Sequence, residues 1–182
     1  MDNLILDQDQ VEESHHSYAG FWLRLFAALV DLLVFIPVYV LSFLNDTGWK
    51  SLLLSIALTW TFPIYKIWFE GTSGATLGKK ALNLKVVAVN GEVMGYNRAA
   101  MRNCLYILSA LLSSLTTIMI FNSPGFSNVD NYTEYNKFAA ANGLGLIFIF
   151  FLLYVISIIV MFFNTQRQTL HDKIGKTFVV IN

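Results

Sequence analysis

The chain has 182 residues, with twelve basic and twelve acidic side chains that cancel to a formal net charge of zero. Hydrophobic residues make up 55% and charged residues only 13%, against ~25% charged in an ordinary soluble domain. This balance argues against a polyanion-binding partner such as nucleic acid and against a soluble globular fold, and predicts an integral membrane protein.

Residues 1–17 are polar and acidic, with Asp2, Asp7, Asp9, Glu12 and Glu13. They lack the basic leader, short apolar core and small-residue site of a cleavable signal. The first apolar run is therefore expected to be a retained anchor, and His15 and His16 to be solvated. Residues 18–182 then read as one transmembrane domain.

Four runs are long enough to cross a hydrocarbon core, which takes roughly 20 helical residues. They are Phe21 to Leu44, Ser51 to Phe69, about Asn103 to Phe121 and about Gly143 to Phe163. Each is apolar around nearly its whole circumference, unlike a helix of a soluble bundle. Loop signals separate them at Asn45-Asp46-Thr47-Gly48 and at Asn122-Ser123-Pro124-Gly125. The expected fold is an all-α integral membrane protein of four transmembrane helices, with a small cytoplasmic β-hairpin or strand element.

Lysine and arginine set the orientation. Arg24, Lys66, Lys79, Lys80, Lys85, Arg98, Arg102, Arg167, Lys173 and Lys176 all fall on one side if both termini lie inside; only Lys50 and Lys137 fall on the other. That predicts a multi-pass protein of the cytoplasmic membrane with both ends cytoplasmic, and membrane lipids as its surroundings.

Between the second and third runs, Leu84 to Val89 reads as a strand and Asn90-Gly91 as a tight turn into a return through Glu92-Val93-Met94. Arg98 and Arg102, four residues apart, predict a short helix at the headgroup level with its arginines near lipid phosphates. The segments Thr76 to Asn90 and Thr169 to Asn182 resemble each other once one residue is deleted. They predict a repeat of two helical hairpins, each ending in a strand, with the two strands pairing.

Asp31 is the strongest chemical signal. An aspartate near a helix centre costs roughly 2.5 to 3.5 kcal/mol on insertion scales unless it is neutralised, paired or wetted. Arg24 lies seven residues earlier, two turns away, so both residues share a helix face. Asp31 either binds a proton or monovalent cation, or pairs permanently and locks helices together. Lys66, Tyr65, Tyr106 and Asn103 are its candidate partners. Pro37 breaks the backbone ladder beyond it, and Ser109, Ala110, Ser113 and Ser114 mark a helix contact face. Cys104, the single cysteine, reads as a small buried hydrophobe. Neither a metal site nor a cofactor is expected, because no CxxC, HExxH or Cys/His cluster is present. No nucleophile with a base at workable spacing is present either, so no enzymatic activity is expected.

Tyr18 to Asp31, with Gly-Phe-Trp-Leu-Arg at its start, resembles the opening of the RDD membrane proteins. Gly71 with Thr76-Leu77-Gly78-Lys79-Lys80 resembles that family's loop after its second helix. Thr169-Leu170-His171-Asp172-Lys173 followed by Thr177-Phe178-Val179-Val180 resembles its C-terminal signature, with Lys176 standing where a small or apolar residue is more usual. The resemblance implies that Arg24, Asp31 and Asp172 are the family's eponymous three, with transport as the usual suspicion. It also implies a bidentate clamp between Arg24 and Asp172, with His171 a surface or capping residue. Two functions follow as expectations. One is a small ion- or proton-coupled transporter, working as a homodimer, with Asp31 as the binding group. The other is a non-catalytic scaffold or assembly subunit in which the three charges are structural.

Overall fold

A computed structural model describes residues 17–89, 91, 94–129, 131–142 and 145–181. The tail before residue 17 and most of the turn and return at 90–93 lie outside the described residues. The described chain is mostly helical, with one two-stranded sheet.

The first apolar run forms α1 (Phe21–Val34) and α2 (Ile36–Leu44), bent by 47° at Phe35. Pro37 sits in the first turn of α2, where a missing N–H costs least. The predicted loop at Asn45 is instead a π-helical turn, Asn45–Trp49. Its cause is the Asn45 side chain, which is fully buried. The Asn45 amide donates to Ser51 O at 3.0 Å and Ser55 Oγ at 2.7 Å, and its oxygen accepts from Ser51 N–H at 3.0 Å.

Ser51 caps α3 (Leu52–Ser73), which runs four residues beyond the predicted end and stops at Gly74, φ +71°. A polar cap follows: α4 (Leu77–Ala81), β1 (Leu84–Ala88) and α5 (Gly95–Arg102). α6 (Cys104–Phe121) returns along α3, where Trp60 Nε1 donates to Ser114 Oγ at 3.2 Å on the predicted small-residue face.

The connection after α6 is more ordered than its loop signals predict. It holds a 3-10 turn, Phe126–Asn128, and α7 (Tyr132–Asn142). Asn131 Oδ1 accepts from Glu134 N–H at 2.9 Å, an N-terminal cap. Ile120, Phe126, Val129 and Ala139 bury a small apolar core beneath it. α8 (Gly145–Phe162) occupies the fourth apolar run, and α9 (Leu170–Gly175) and β2 (Thr177–Ile181) complete the cap.

Among the described residues, α3 and α6 are long and apolar enough to cross a membrane, and the bent first run makes a third crossing if counted as one span.

The expected strand pairing is present. β1 and β2 run antiparallel, Leu84 opposite Ile181 and Ala88 opposite Thr177. Ala19 N–H extends the sheet to Val179 O at 2.9 Å, and Val86 N–H reaches Gly74 O at 2.6 Å on the other edge. The two related segments need no deletion. Each runs from a capping threonine, Thr76 or Thr169, through a short helix to a left-handed residue, Asn83 (φ +53°) or Lys176 (φ +49°), and then a strand. Val86 and Val179 are equivalent in this gapless match and lie directly opposite each other. That is the register a local two-fold axis would produce. Ala19, Ala27, Leu84, Val86, Met94, Ala99 and Val179 form the core between sheet and helices.

Candidate functional site

The cap is joined to the membrane helices by a buried charge network. Asp31 is 5% exposed and lies against the start of α4, not in a lipid-exposed stretch. Its Oδ1 accepts from Tyr65 Oη at 2.7 Å and from Gly78 N–H at 2.7 Å; its Oδ2 accepts from Thr76 Oγ1 at 2.7 Å. Of the four predicted partners only Tyr65 is bonded to it. The others come from α4, an element too short to show periodicity. Gly78 permits this approach, since a Cβ there would stand 2.0 Å from Ala27 O and 2.9 Å from the Asp31 carboxyl.

Arg24 meets Asp172, as the resemblance implies, with Nη1 at 2.6 Å from Oδ2. The pair is not a bidentate fork. Arg24 spends its other donors on Ala19 O at 3.0 Å and Arg167 O at 2.7 Å. The second carboxylate oxygen of Asp172 faces Arg102 Nη2 at 2.8 Å, an ion pair outside hydrogen-bond geometry. Asp172 also closes a capping box, its Oδ2 accepting Thr169 N–H at 3.0 Å. Burial alone would raise its pKa. Arg102, then His171 and Arg24, hold it well below the usual carboxylate range.

Arg102 is therefore misplaced by the expectation of a headgroup contact. It is 3% exposed, turned inward because two carboxylates converge there. Its Nε lies 3.4 Å from Glu70 Oε2, and its Nη1 donates to Thr177 Oγ1 at 3.1 Å.

Glu70, at the end of α3, is the residue that sequence reasoning passed over. It is fully buried, pairs with Lys79 through Oε1, and accepts from Asn103 Nδ2 at 2.9 Å through Oε2. Its signal was position: it follows Phe69, where the apolar run stops, so it read as loop. Burial pulls the Lys79 ammonium down to about 7, against the opposing pull of Glu70.

His171 is partly exposed but engaged with α8. Its Nδ1 lies 3.1 Å from Ser157 Oγ on α8, and burial lowers its pKa to about 3 despite the adjacent Asp172. Ser157 Oγ also accepts Leu170 N–H at 3.1 Å, tying α9 to α8.

A cavity of about 120 Å³ lies between α1, α8 and the cap. Arg24, Asp31, Lys66, Lys79, Arg102 and His171 supply its polar wall, and Phe21, Leu25, Ala28, Ile158 and Met161 its apolar wall. Arg24, Asp31 and Asp172 thus belong to one region: the first two line the cavity, and Asp172 sits behind Arg24 and Arg102. Among the described residues no group of three or more His, Cys, Asp and Glu side chains could hold a metal ion.

The chain is similar to a protein of Bacillus subtilis (strain 168) named only as Uncharacterized protein YxaI, at 28% identity over 56% of this chain and 84% of the relative. No solved structure matches the chain. The model of the RDD family matches residues 18–176, which takes in Arg24, Asp31, Asp172 and all of the cap before β2, and so the chain belongs to the RDD family.

Proposed function

We propose that this chain is a four-span protein of the cytoplasmic membrane with both ends inside, acting as a non-catalytic scaffold or assembly module. In it Arg24, Asp31 and Asp172 are structural. One observation carries the reading: these charged groups are engaged by partners within the chain. Asp31 accepts three internal hydrogen bonds, while Arg24 and Asp172 hold each other and further groups of the cap. A cation reaching Asp31 has to displace donors that also fix α4.

α8 supplies the fourth crossing in this reading. Trp22 and Trp68 lie exposed at the cap end and Trp49 at the opposite end, the placement expected of aromatic belts at two membrane faces. The basic cap then faces the cytoplasm.

The second reading is an ion- or proton-coupled transporter with Asp31 as the binding group. It is favoured by the cavity that Asp31 lines and by the bend in the helix that carries it.

Liposomes containing the purified chain, followed with a pH dye under sodium, potassium and lithium pulses, separate the two. The scaffold reading predicts no flux from the folded wild type and a lowered thermal midpoint for Asp31→Asn. Flux in the wild type that disappears in a folded Asp31→Asn variant overturns it in favour of transport.

A further inference from the structure

The cavity beside Asp31 carries an imbalance of charge. Four basic side chains border it, Arg24, Lys66, Lys79 and Arg102, of which Lys79 carries only part of a charge near neutral pH, while the network holds three carboxyls, Asp31, Glu70 and Asp172. Of the four, Lys66 is the one with no carboxylate within ion-pair distance among the described residues. Lys79 is committed to Glu70, Arg102 to Glu70 and Asp172, and Arg24 to Asp172. Asp31 is satisfied by neutral donors.

Lys66 projects into the cavity from α3. Among the described residues its ammonium has no hydrogen bond or ion pair. Its neighbours are the ring faces of Tyr106, 4.6 Å to the centroid, and Phe62, 5.5 Å. Aromatic faces hold a cation in place but do not neutralise it, and although the field of Glu70 reaches Lys66, among the described residues no carboxylate stands within ion-pair distance of it, which is costly for an ammonium on a membrane helix. His171, held neutral near physiological pH, adds no charge of its own.

We propose that the cavity is a binding site for a phosphate group, free or on a lipid headgroup, with Lys66 as its principal counter-charge and Arg102 beside it. Three features fit that ligand. The wall presents the Lys66 ammonium, a donor that matches phosphate oxygens, in the positive field of Arg24 and Arg102, whose own donors are engaged within the chain. The cavity exceeds the space one water needs, roughly 10–15 Å³ by the same measure. Its other wall is apolar, and Ala28 is exposed at its edge on α1. A headgroup could enter there with its chain kept outside. The site is independent of the flux result, because it involves neither loss nor gain of a proton at Asp31.

The test uses the full chain in phosphatidylcholine nanodiscs. One arm titrates radiolabelled inorganic phosphate. The other compares thermal midpoints in phosphate-free buffer with and without phosphatidic acid in the disc. Saturable phosphate binding near one per chain identifies free phosphate as the source. A midpoint raised by phosphatidic acid alone identifies the headgroup. Either result is expected to weaken at least tenfold in Lys66→Met and to persist in Lys66→Arg. Ala28→Leu, which fills the entrance without touching a charge, is expected to block binding. The proposal is overturned if neither ligand acts on the wild type, or if Lys66→Met binds as the wild type does. Should Lys66→Met fail to fold, undiminished binding by Ala28→Leu overturns it.

Discussion

Glu70 and Asp172 are both fully buried, and each is held by two cations. Burying such charges is costly, and breaking one partner from a buried pair typically loses about 3–5 kcal/mol because the other charge is left uncompensated. The same burial gives the cap a pH response. An unfolded chain protonates His171 as the pH falls through about 6.5, whereas the folded chain resists to about 3. The unfolded state then binds more protons, so stability falls as the pH falls across that window. Asp172 is depressed as well, and its contribution is lost only below the ordinary carboxylate value of 3.8. Between pH 6.5 and about 5.5, above the carboxylate range, the slope therefore comes chiefly from His171. Thermal midpoints across that range should decline in the wild type and stay flatter in His171→Gln; equal slopes would show an imidazole that titrates normally.

Arg24 and Asp31 were legible at this scale because charges inside apolar runs stand out. Asp172 was legible only through the family resemblance. Glu70, Lys79 and Arg102 were not, because a lysine that anchors topology and one that pairs inside a cap look alike in sequence. Only the fold brings residue 70 to residues 79 and 102.

At the scale of elements, α4 and α9 are built alike but loaded differently. Both begin at a threonine whose hydroxyl accepts from the third helical residue, Lys79 or Asp172. Thr76 does a second job, donating to Asp31 Oδ2 at 2.7 Å. Thr169→Val should lose about 1 kcal/mol, the usual worth of a cap. Thr76→Val should lose about 1–3 kcal/mol more, since it leaves a buried acceptor without its donor. Denaturant titration of the two variants measures the difference, and equal losses would contradict the arrangement. The strands and their pairing were readable because short β-branched runs and a repeated motif flank them. α7 and the π-helical turn were not. α7 is polar with little amphipathic pattern, and the turn depends on one buried asparagine inside a stretch of loop-forming residues.

For the whole molecule, the long apolar helices bury few of their residues completely, 11% of the apolar window of α3 and 17% of that of α6, and leave large apolar side chains such as Leu53, Ile64, Leu115 and Met119 exposed. Lipid is the solvent that such surfaces fit. The proposed topology puts the 3-10 turn outside and α9 inside. In a Cys104→Ala background, an impermeant maleimide should label Asn128→Cys on intact cells and Lys173→Cys only after permeabilisation. Labelling of both on intact cells would reject the shared cytoplasmic location of the cap.

In the proposed reading Arg24, Asp31 and Asp172 hold the cap to the membrane helices. A double-mutant cycle on Arg24→Gln and Asp172→Asn, read as unfolding free energy in detergent, tests it most directly. Each single variant is expected to lose several kcal/mol, about 3–5 by the usual cost of an orphaned buried charge, and the double variant less than their sum. Single variants as stable as the wild type, with no coupling between them, would contradict it.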